Sequence, residues 1–151
     1  MSALRLVETD IRSEAVSVDA RYPQVIRQAI GKLNELTQLP DNWDSYGGRA
    51  PTKDALMGAV QLAMDLFDER TPIPDVFPVP NGNIQFEWAC LGLDIEIEIE
   101  SNRKCIACFE DLESGENWER AFTFDLTELR KVISELTARN QPQNRLRAVN
   151  A

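Results

Sequence analysis

The side chains with the clearest capacity for chemistry are carboxylates at every second position of one short segment. Residues 93–100 read Leu-Asp-Ile-Glu-Ile-Glu-Ile-Glu, so acids alternate with aliphatic residues. This period of two predicts a β-strand with one apolar and one acidic face, its carboxylates about 7 Å apart. A further acid lies on the preceding predicted strand. We refer to these five residues as the carboxylate row: Glu87, Asp94, Glu96, Glu98 and Glu100.

Three uses of the carboxylate row are consistent with the sequence. The row can be a solvated outer face of a sheet, or a contact surface for a basic protein. It can also be a Mg²⁺-dependent hydrolase or nuclease site using Glu87, Glu96 and Glu98, since hard divalent cations favour carboxylate oxygens. A flat strand face rarely directs three carboxylates at one ion. The sequence therefore predicts no catalytic residue, no metal site and no cofactor.

The chain contains no histidine, which removes the commonest general base and the commonest transition-metal ligand. Serine–histidine and cysteine–histidine nucleophilic catalysis within the chain are thereby excluded. The cysteines are Cys90, Cys105 and Cys108, and an odd internal set does not resemble a secreted disulfide framework. Positions 105 and 108 are three apart on a predicted strand, so they face opposite sides. We interpret them as small apolar strand residues.

A second pattern is a loop over residues 40–51 that carries two large aromatic side chains, Trp43 and Tyr46. Its glycines permit positive φ, and Asp44 or Ser45 can close a local turn. The two aromatics either plug one end of the core or anchor a partner, since Trp and Tyr dominate binding hot spots. A nucleotide or small-molecule sensor is a further hypothesis, although neither glycine-rich phosphate-binding motif is present.

The charge balance narrows the class of partner. Sixteen Lys and Arg oppose 25 Asp and Glu, for a net charge of −9, and residues 85–119 alone hold ten acids and two bases. A chain this acidic is poorly suited to binding phosphate backbones, so we expect a basic protein partner and no direct nucleic-acid binding. No apolar run approaches the roughly 18 residues of a membrane span and no signal peptide is visible, so we expect a cytoplasmic protein and no membrane association.

At 151 residues the chain predicts one domain. Apolar periodicity predicts helices over residues 22–39 and 53–69, the second capped by Thr52. Strands are expected over 76–79, 84–88, 93–100, 104–109 and 118–124, before a helix that begins at Asp125 with Glu128 completing a capping box. The fold class is α+β: two N-terminal helices, an antiparallel sheet of about four to five strands, and a C-terminal helix packed on one sheet face.

The predicted boundaries divide the chain into three parts. Residues 1–19 are an arm or short strands, residues 20–138 form the domain, and residues 139–151 are a basic, polar tail that we expect to be mobile. In the first hairpin, a four-residue loop over 80–83 would pair Val79 with Ile84. Both Pro78 and Pro80 would then face away from the partner strand and blunt that edge of the sheet.

The segment Leu-Pro-Asp-Asn-Trp-Asp-Ser-Tyr-Gly-Gly at 39–48, with the strands that follow, resembles a family of small bacterial proteins without an assigned activity. The shared pattern is a W-D-S-Y-G loop, a helix, a proline-rich strand and a Gly-x-x-x-x-Glu-Trp strand, here Gly82 to Trp88. The resemblance covers residues 39–100. It implies a bacterial or phage source, often near mobile elements, and carries over no functional residue.

The leading hypothesis is a non-enzymatic acidic protein that inhibits or regulates a basic partner, in particular one that itself binds nucleic acid. Antitoxins, immunity proteins and phage-encoded inhibitors of bacterial defence are of this class. The expected contact residues are the carboxylate row together with Trp43 and Tyr46. The Mg²⁺-dependent hydrolase and the nucleotide or small-molecule sensor are the alternatives.

Overall fold

The computed structural model describes residues 19–141. Two helices precede a five-stranded antiparallel sheet with strand order β1-β2-β3-β4-β5, and a third helix follows it. The α+β prediction is confirmed. The elements are α1 (Gln24–Leu36), α2 (Lys53–Leu66), β1 (Asp75–Pro78), β2 (Ile84–Cys90), β3 (Leu93–Ser101), β4 (Lys104–Asp111), β5 (Asn117–Thr123) and α3 (Thr127–Arg139).

The predicted N-terminal arm (residues 1–19) lies outside the described residues except for Asp19. Of the predicted tail (residues 139–151), residues 142–151 also lie outside them. Among residues 19–141, no helix has the length and apolar character needed to cross a membrane.

The two N-terminal helices are shorter than predicted, and both differences have a local cause. In α1, Thr37 turns both its N–H and its hydroxyl to the Asn34 carbonyl oxygen, which closes the helix before Pro40. In α2, Phe67 leaves the helix with extended backbone and buries its ring against Phe86, with 5.7 Å between the ring centroids. The predicted cap of α2 is confirmed, because the Thr52 hydroxyl oxygen accepts from the Ala55 N–H at 3.0 Å.

The start of α3 differs from the predicted capping box. Asp125 Oδ1 accepts from the N–H of Thr127 at 3.0 Å and from its hydroxyl at 2.6 Å, and the helix begins at Thr127. Among the described residues, the Glu128 side chain accepts no reciprocal bond from the backbone, and its Oε1 lies 3.1 Å from the Lys131 ammonium. The box is therefore wrong, because Asp125 forms a tight local turn before the helix. The predicted inner face of α3 is buried: Leu129, Val132, Ile133 and Leu136.

All three helices pack on one side of the sheet, and β3 shows why. Leu93, Ile95, Ile97 and Ile99 are fully buried toward the helices, while their acidic neighbours point away. Helix α2 lies against β3 so closely that a Cβ added at Gly58 would stand 2.5 Å from the Ser101 carbonyl carbon. The sheet therefore has one face in the core and one face free of the described helices.

The first hairpin differs from the prediction by one residue. Val79 N–H donates to the Asn83 carbonyl oxygen at 2.9 Å, and Pro78, not Val79, lies opposite Ile84. The loop holds three residues, 80–82, because Gly82 adopts a positive φ of 94° that closes a shorter turn. The predicted pairing of Val79 with Ile84 is therefore wrong.

The predicted tail also begins too early. Arg139 is the last residue of α3, and its side chain is only 18% exposed. Its guanidinium donates to Asp111 at 2.8 Å, to Glu135 at 2.8 Å and to the Leu91 carbonyl oxygen at 3.0 Å. The residue therefore ties α3 to the end of the sheet that carries the β2–β3 and β4–β5 turns.

Two helical glycines test how closely α2 packs on the sheet. In Gly31→Ala the new methyl group meets no atom of residues 19–141 within 4 Å, so we expect a gain of about 0.5–1 kcal/mol in the free energy of unfolding. In Gly58→Ala the same propensity gain is opposed by the clash with β3, and we expect a net loss of about 1–3 kcal/mol. Urea denaturation measures both, and stabilisation by Gly58→Ala would contradict the close contact.

The contact of Arg139 with Asp111 predicts a dependence of stability on pH. The Glu113 N–H, which donates to Asp111 Oδ1, and after it the Arg139 guanidinium hold the pKa of Asp111 below its usual value. The stabilisation from this contact is therefore complete at pH values above the usual pKa of Asp111, which applies in the unfolded state. It is lost as pH falls through the lowered pKa of the folded state. We expect the melting temperature of Asp111→Asn to lie below that of wild type at pH 7. The difference should begin to shrink only below about pH 4 and should vanish as pH falls through the lowered pKa of Asp111. Glu135→Gln, at the more exposed partner, is the control and should change little.

Candidate functional site

The outward face of the sheet carries acids from all strands, aligned across the register. One continuous line of neighbours runs across the five strands through Asp75, Glu87, Glu96, Cys108 and Glu119. Four of these five residues are carboxylates. Directly opposed side chains on neighbouring strands are about 4.5–5.5 Å apart at Cβ, so this line concentrates negative charge across the whole width of the sheet.

Two more lines of neighbours complete the surface. Asp94 pairs with Glu110 on one side of that line, and Glu98 pairs with Ile106 on the other. All five acids of the predicted carboxylate row lie on this one surface. We define the acidic face by its eight carboxylates, which Lys104 accompanies as the one base: Asp75, Glu87, Asp94, Glu96, Glu98, Glu100, Glu110 and Glu119.

Sequence reasoning missed three members of the acidic face, Asp75, Glu110 and Glu119. Glu110 and Glu119 were counted in the net charge of the segment, but their facing depends on strand register. That register follows from turn lengths. The hairpin of β1 and β2 shows that an error of one residue in the register moves a strand's side chains to the opposite face of the sheet. Alternation along β4 and β5 is the available clue, and it is weaker there than in β3 because Cys108 and Ala121 interrupt the acids.

Some carboxylates of the acidic face are held by neighbouring amides. Glu98 accepts from the side-chain amides of Asn83 at 2.8 Å and Asn81 at 3.1 Å. Glu87 accepts from Gln85 Nε2 at 2.7 Å, and Glu100 forms an ion pair with Lys104. These contacts orient three carboxylate oxygens and leave the net charge of the surface strongly negative.

The remaining carboxylates have no such support. Among residues 19–141, no hydrogen bond or ion pair reaches the side chains of Asp75, Asp94, Glu96 and Glu110. Like charges directly opposed on a sheet are destabilising, and Asp94–Glu110 and Glu87–Glu96 are both opposed in this way. The fold therefore tolerates unfavourable electrostatics at this surface without an internal contact that accounts for them.

Cys108 lies in the middle of this charge. Its thiol donates to Glu119 Oε1 at 3.6 Å, and burial together with Glu119 and Glu96 raises its pKa. Cys105 faces the core instead, where burial raises its pKa to about 11. The prediction that positions 105 and 108 face opposite sides is confirmed. Within residues 19–141, no group of three His, Cys, Asp or Glu side chains is arranged to hold a metal ion.

Two apolar side chains stand out of the acidic face. Phe77 on β1 is 44% exposed and Ile106 on β4 is 46% exposed, and both lie in the line of neighbours that contains Glu98. Single exposed apolar residues are ordinary on protein surfaces. Because these two lie among carboxylates, a partner bound to the acidic face could bury apolar surface there as well as form ion pairs.

The aromatic loop is held by its own hydrogen bonds. Asp44 Oδ1 accepts from the N–H groups of Tyr46 at 2.9 Å and Gly48 at 2.8 Å, and these bonds lower the pKa of Asp44. Asn42 Oδ1 accepts from Gly47 at 2.7 Å. Asn42 and Ser45 adopt positive φ, at 63° and 67°. Such left-handed backbone at residues other than glycine persists only where surrounding contacts impose it.

The loop treats its two aromatics differently. Trp43 is half-buried, and its indole N–H donates to the Arg49 carbonyl oxygen at 2.8 Å. Tyr46 is 92% exposed and makes no side-chain hydrogen bond with another described residue. The interpretation that both rings plug the core is wrong for Tyr46, because the Asp44 turn projects it outward.

The first hairpin connects the loop to the acidic face. Arg49 N–H donates to the Pro80 carbonyl oxygen at 2.8 Å, and Thr52 N–H donates to that of Gly82 at 3.0 Å. The same hairpin supplies the amides that hold Glu98. The two features predicted separately from the sequence are therefore joined through one turn.

No protein-family model, curated protein or solved structure matches the chain. The likeness of residues 39–100 to the family with the W-D-S-Y-G loop stays an expectation from those motifs, and the interpretation of the site depends on its geometry.

The thiol of Cys108 can report the field of the acidic face. In Glu96→Gln/Glu119→Gln the Cys108 pKa should fall toward its usual value, so more thiolate is present at pH 8. We expect alkylation by uncharged iodoacetamide to be faster than in wild type, since the rate follows the fraction of thiolate. Peptide mass spectrometry separates the three cysteines. Glu35→Gln, on α1, is the control, and an unchanged rate in the double variant would contradict the assigned field.

Proposed function

We propose that this protein binds a basic partner protein through the acidic face and thereby inhibits or regulates it. The observation that carries the proposal is the outward surface of the sheet, where eight carboxylates and one lysine give a net of −7. No described helix covers that surface, and four of its carboxylates have no hydrogen-bond or ion-pair partner among residues 19–141. A basic partner would offset the like-charge repulsion that the free protein retains.

The physical consequences of such a surface are those of a steering interface. A patch of one sign raises the rate of encounter with an oppositely charged patch, and the effect falls steeply with ionic strength. Arginine in particular can bind carboxylates through paired N–H groups. A partner whose basic groove binds a nucleic acid would present such a surface, so binding of the acidic face would compete with the nucleic acid.

The apolar groups beside the carboxylates support a protein partner. Exposed ion pairs contribute only about 0–1 kcal/mol each, so charge alone gives rate and orientation more than affinity. Phe77, Ile106 and the exposed ring of Tyr46 are candidates for the buried centre of an interface, where aromatic side chains contribute most. The preformed aromatic loop would lose little conformational entropy on binding.

This mode of action is that of antitoxins, immunity proteins and phage-encoded inhibitors of defence enzymes, and the proposal assigns the chain to that class. The alternatives have weaker support. The spread of Glu87, Glu96 and Glu98 over two strands does not gather three ligands at one point. The aromatic loop directs its backbone N–H groups to its own side chains, which leaves few donors for a nucleotide phosphate.

The test neutralises carboxylates that support no internal contact. Asp94→Asn/Glu96→Gln/Glu110→Gln should abolish the capture of specific basic proteins from a lysate of the source organism, identified by mass spectrometry. The matched control is Glu35→Gln/Glu69→Gln/Glu113→Gln, which makes the same change in net charge at exposed sites elsewhere. We expect wild-type capture from the control, and a steep decrease in wild-type association rate between 50 and 300 mM salt, on the order of tenfold or more.

A stability measurement separates loss of binding from loss of fold. Because the three substitutions relieve opposed like charges, we expect the triple variant to melt at or above the wild-type temperature, and the difference to shrink in high salt. Capture of the same proteins by the triple variant and the wild type would contradict the proposal.

A further inference from the structure

The two edges of the sheet differ in their capacity to accept another strand. At β1, the Val79 N–H points toward β2 and donates to Asn83 O. Because backbone groups alternate along a strand, those of residues 74, 76, 78 and 80 point away from β2, at the free edge of the sheet. Three of these four positions are proline: Pro74, Pro78 and Pro80. The Pro74 carbonyl oxygen is further occupied by the Lys32 ammonium at 2.9 Å. This edge is therefore closed to strand addition, as the prolines of the sequence predict.

The β5 edge has no such protection. Asp111 N–H donates to Glu116 O at 2.8 Å, and Phe124 N–H donates to Arg103 O at 2.9 Å. Both bonds belong to the register in which β4 pairs with β5, and they fix which residues of β5 bond inward. The backbone groups that face away from β4 therefore belong to the alternate residues, Asn117, Glu119, Ala121 and Thr123.

These outward positions are exposed, and none is proline. Within residues 19–141, no hydrogen bond reaches the backbone N–H or carbonyl groups of Glu119 or Ala121. The Thr123 carbonyl oxygen accepts from Asp125 N–H at 2.8 Å, which limits the open stretch at that end. In the described part of the chain, one edge of the sheet is thus closed by three prolines, and the other presents backbone donors and acceptors.

The side chains around β5 define the chemistry of a strand that could bind there. On the acidic face of the sheet, Glu119 ends the line of carboxylates, so side chains of an added strand on that face would meet negative charge. On the face of the sheet toward the helices, Trp118 is half-buried and packs against Phe122 in a tilted arrangement, at 6.1 Å between ring centroids, beneath the Arg120 guanidinium. A strand that alternates basic with apolar residues satisfies both sides.

A second copy of this chain satisfies them poorly. Pairing β5 with its symmetry mate would continue one acidic face into another, between molecules that each carry a net charge of −9. An antiparallel pair centred on Arg120 would also bring two guanidinium groups together. Charge complementarity therefore favours a basic segment of a different protein.

We propose that the β5 edge binds an extended segment of the partner, alternating basic and apolar residues, as a sixth antiparallel strand. This inference rests on the proposed function and gives the contact a second component. Main-chain hydrogen bonds at the edge supply affinity and register, and the acidic face supplies charge selectivity.

The probe is a blocked seven-residue peptide, Arg-Val-Arg-Val-Arg-Val-Arg, whose affinity is measured by calorimetry. Two matched peptides carry N-methyl groups on their arginines or on their valines. A strand directs only alternate N–H groups to its neighbour, and in an antiparallel pair with basic residues outward these belong to the arginines. We expect the arginine-methylated peptide to bind at least about tenfold more weakly and the valine-methylated peptide to bind like the parent. Equal binding by all three peptides would overturn the proposal.

Ala121→Pro tests the same edge from the protein side. The Ala121 N–H faces away from β4, so proline there removes an outward donor and no ladder bond, as Pro78 does on β1. We expect at least about tenfold weaker binding of the parent peptide, with Ala121→Ser as the control that keeps the N–H. If Ala121→Pro fails to fold, the methylated peptides still decide the question.

Hydrogen exchange locates the peptide. In wild type, the Glu119 and Ala121 amides should exchange rapidly and become protected when the peptide binds. Protection of both amides in the protein alone would indicate that a second copy or another segment of the chain occupies the edge, and would overturn the proposal.

The two proposals fail differently. Methylation-sensitive binding that is unchanged in Asp94→Asn/Glu96→Gln/Glu110→Gln would support the edge and contradict the role of the acidic face. Binding that is lost in the triple variant but is insensitive to methylation and to Ala121→Pro would support the face and overturn the edge.

Discussion

Strand β3 alternates two kinds of side chain that need different environments, one buried in the core and the other exposed to water. Four aliphatic residues point one way and four carboxylates point the other. A register slip of one residue would place the carboxylates in hydrocarbon, at several kcal/mol for each charge. Because β3 is the central strand, its two faces decide the facing of β2 and β4 and, through them, of the edge strands. The placement of the helices follows, since an amphipathic helix can bury its apolar stripe only against the aliphatic side.

That constraint also explains the form of the candidate site. The acidic face is not a pocket with a few convergent groups, as is usual for small ligands. It is a broad surface with several preoriented carboxylates, two apolar side chains and an adjoining loop whose backbone is held by Asp44. Close packing of α2 at Gly58 leaves little freedom for the sheet to change curvature. These properties suit an interface in which the protein keeps its conformation when it binds.

The fold class, the facing of β3 and the cap at Thr52 could be predicted from sequence because each depends on short-range pattern. The sequence-based predictions are wrong where the local structure depends on a contact that the sequence pattern does not show. Arg139 looks like the start of a polar tail until Asp111, 28 residues away, becomes its partner. Asp125 satisfies the capping-box pattern, yet the Thr127 hydroxyl offers it a closer bond. For the candidate site, five acids of the face were predicted, whereas Asp75, Glu110 and Glu119 required the register. The open β5 edge could be recognised only once it was known which residues of β5 direct their N–H and carbonyl groups away from β4, and residue types do not specify this.

The separation of charge between the two sides of the molecule has a consequence of its own. Residues 19–141 carry 22 acids and 12 bases. Eight of the acids and one base lie on the acidic face, so the rest of this part of the chain holds 14 acids and 11 bases and is close to balanced. Charge is therefore unevenly distributed over residues 19–141, which gives this part of the protein an electric dipole moment directed across the sheet. The low-dielectric core directs more of the field outward into solvent. In the field of a cationic surface such a molecule experiences a torque before it makes any contact. It would rotate to bring its sheet forward, so that a greater share of random collisions would arrive in a productive orientation.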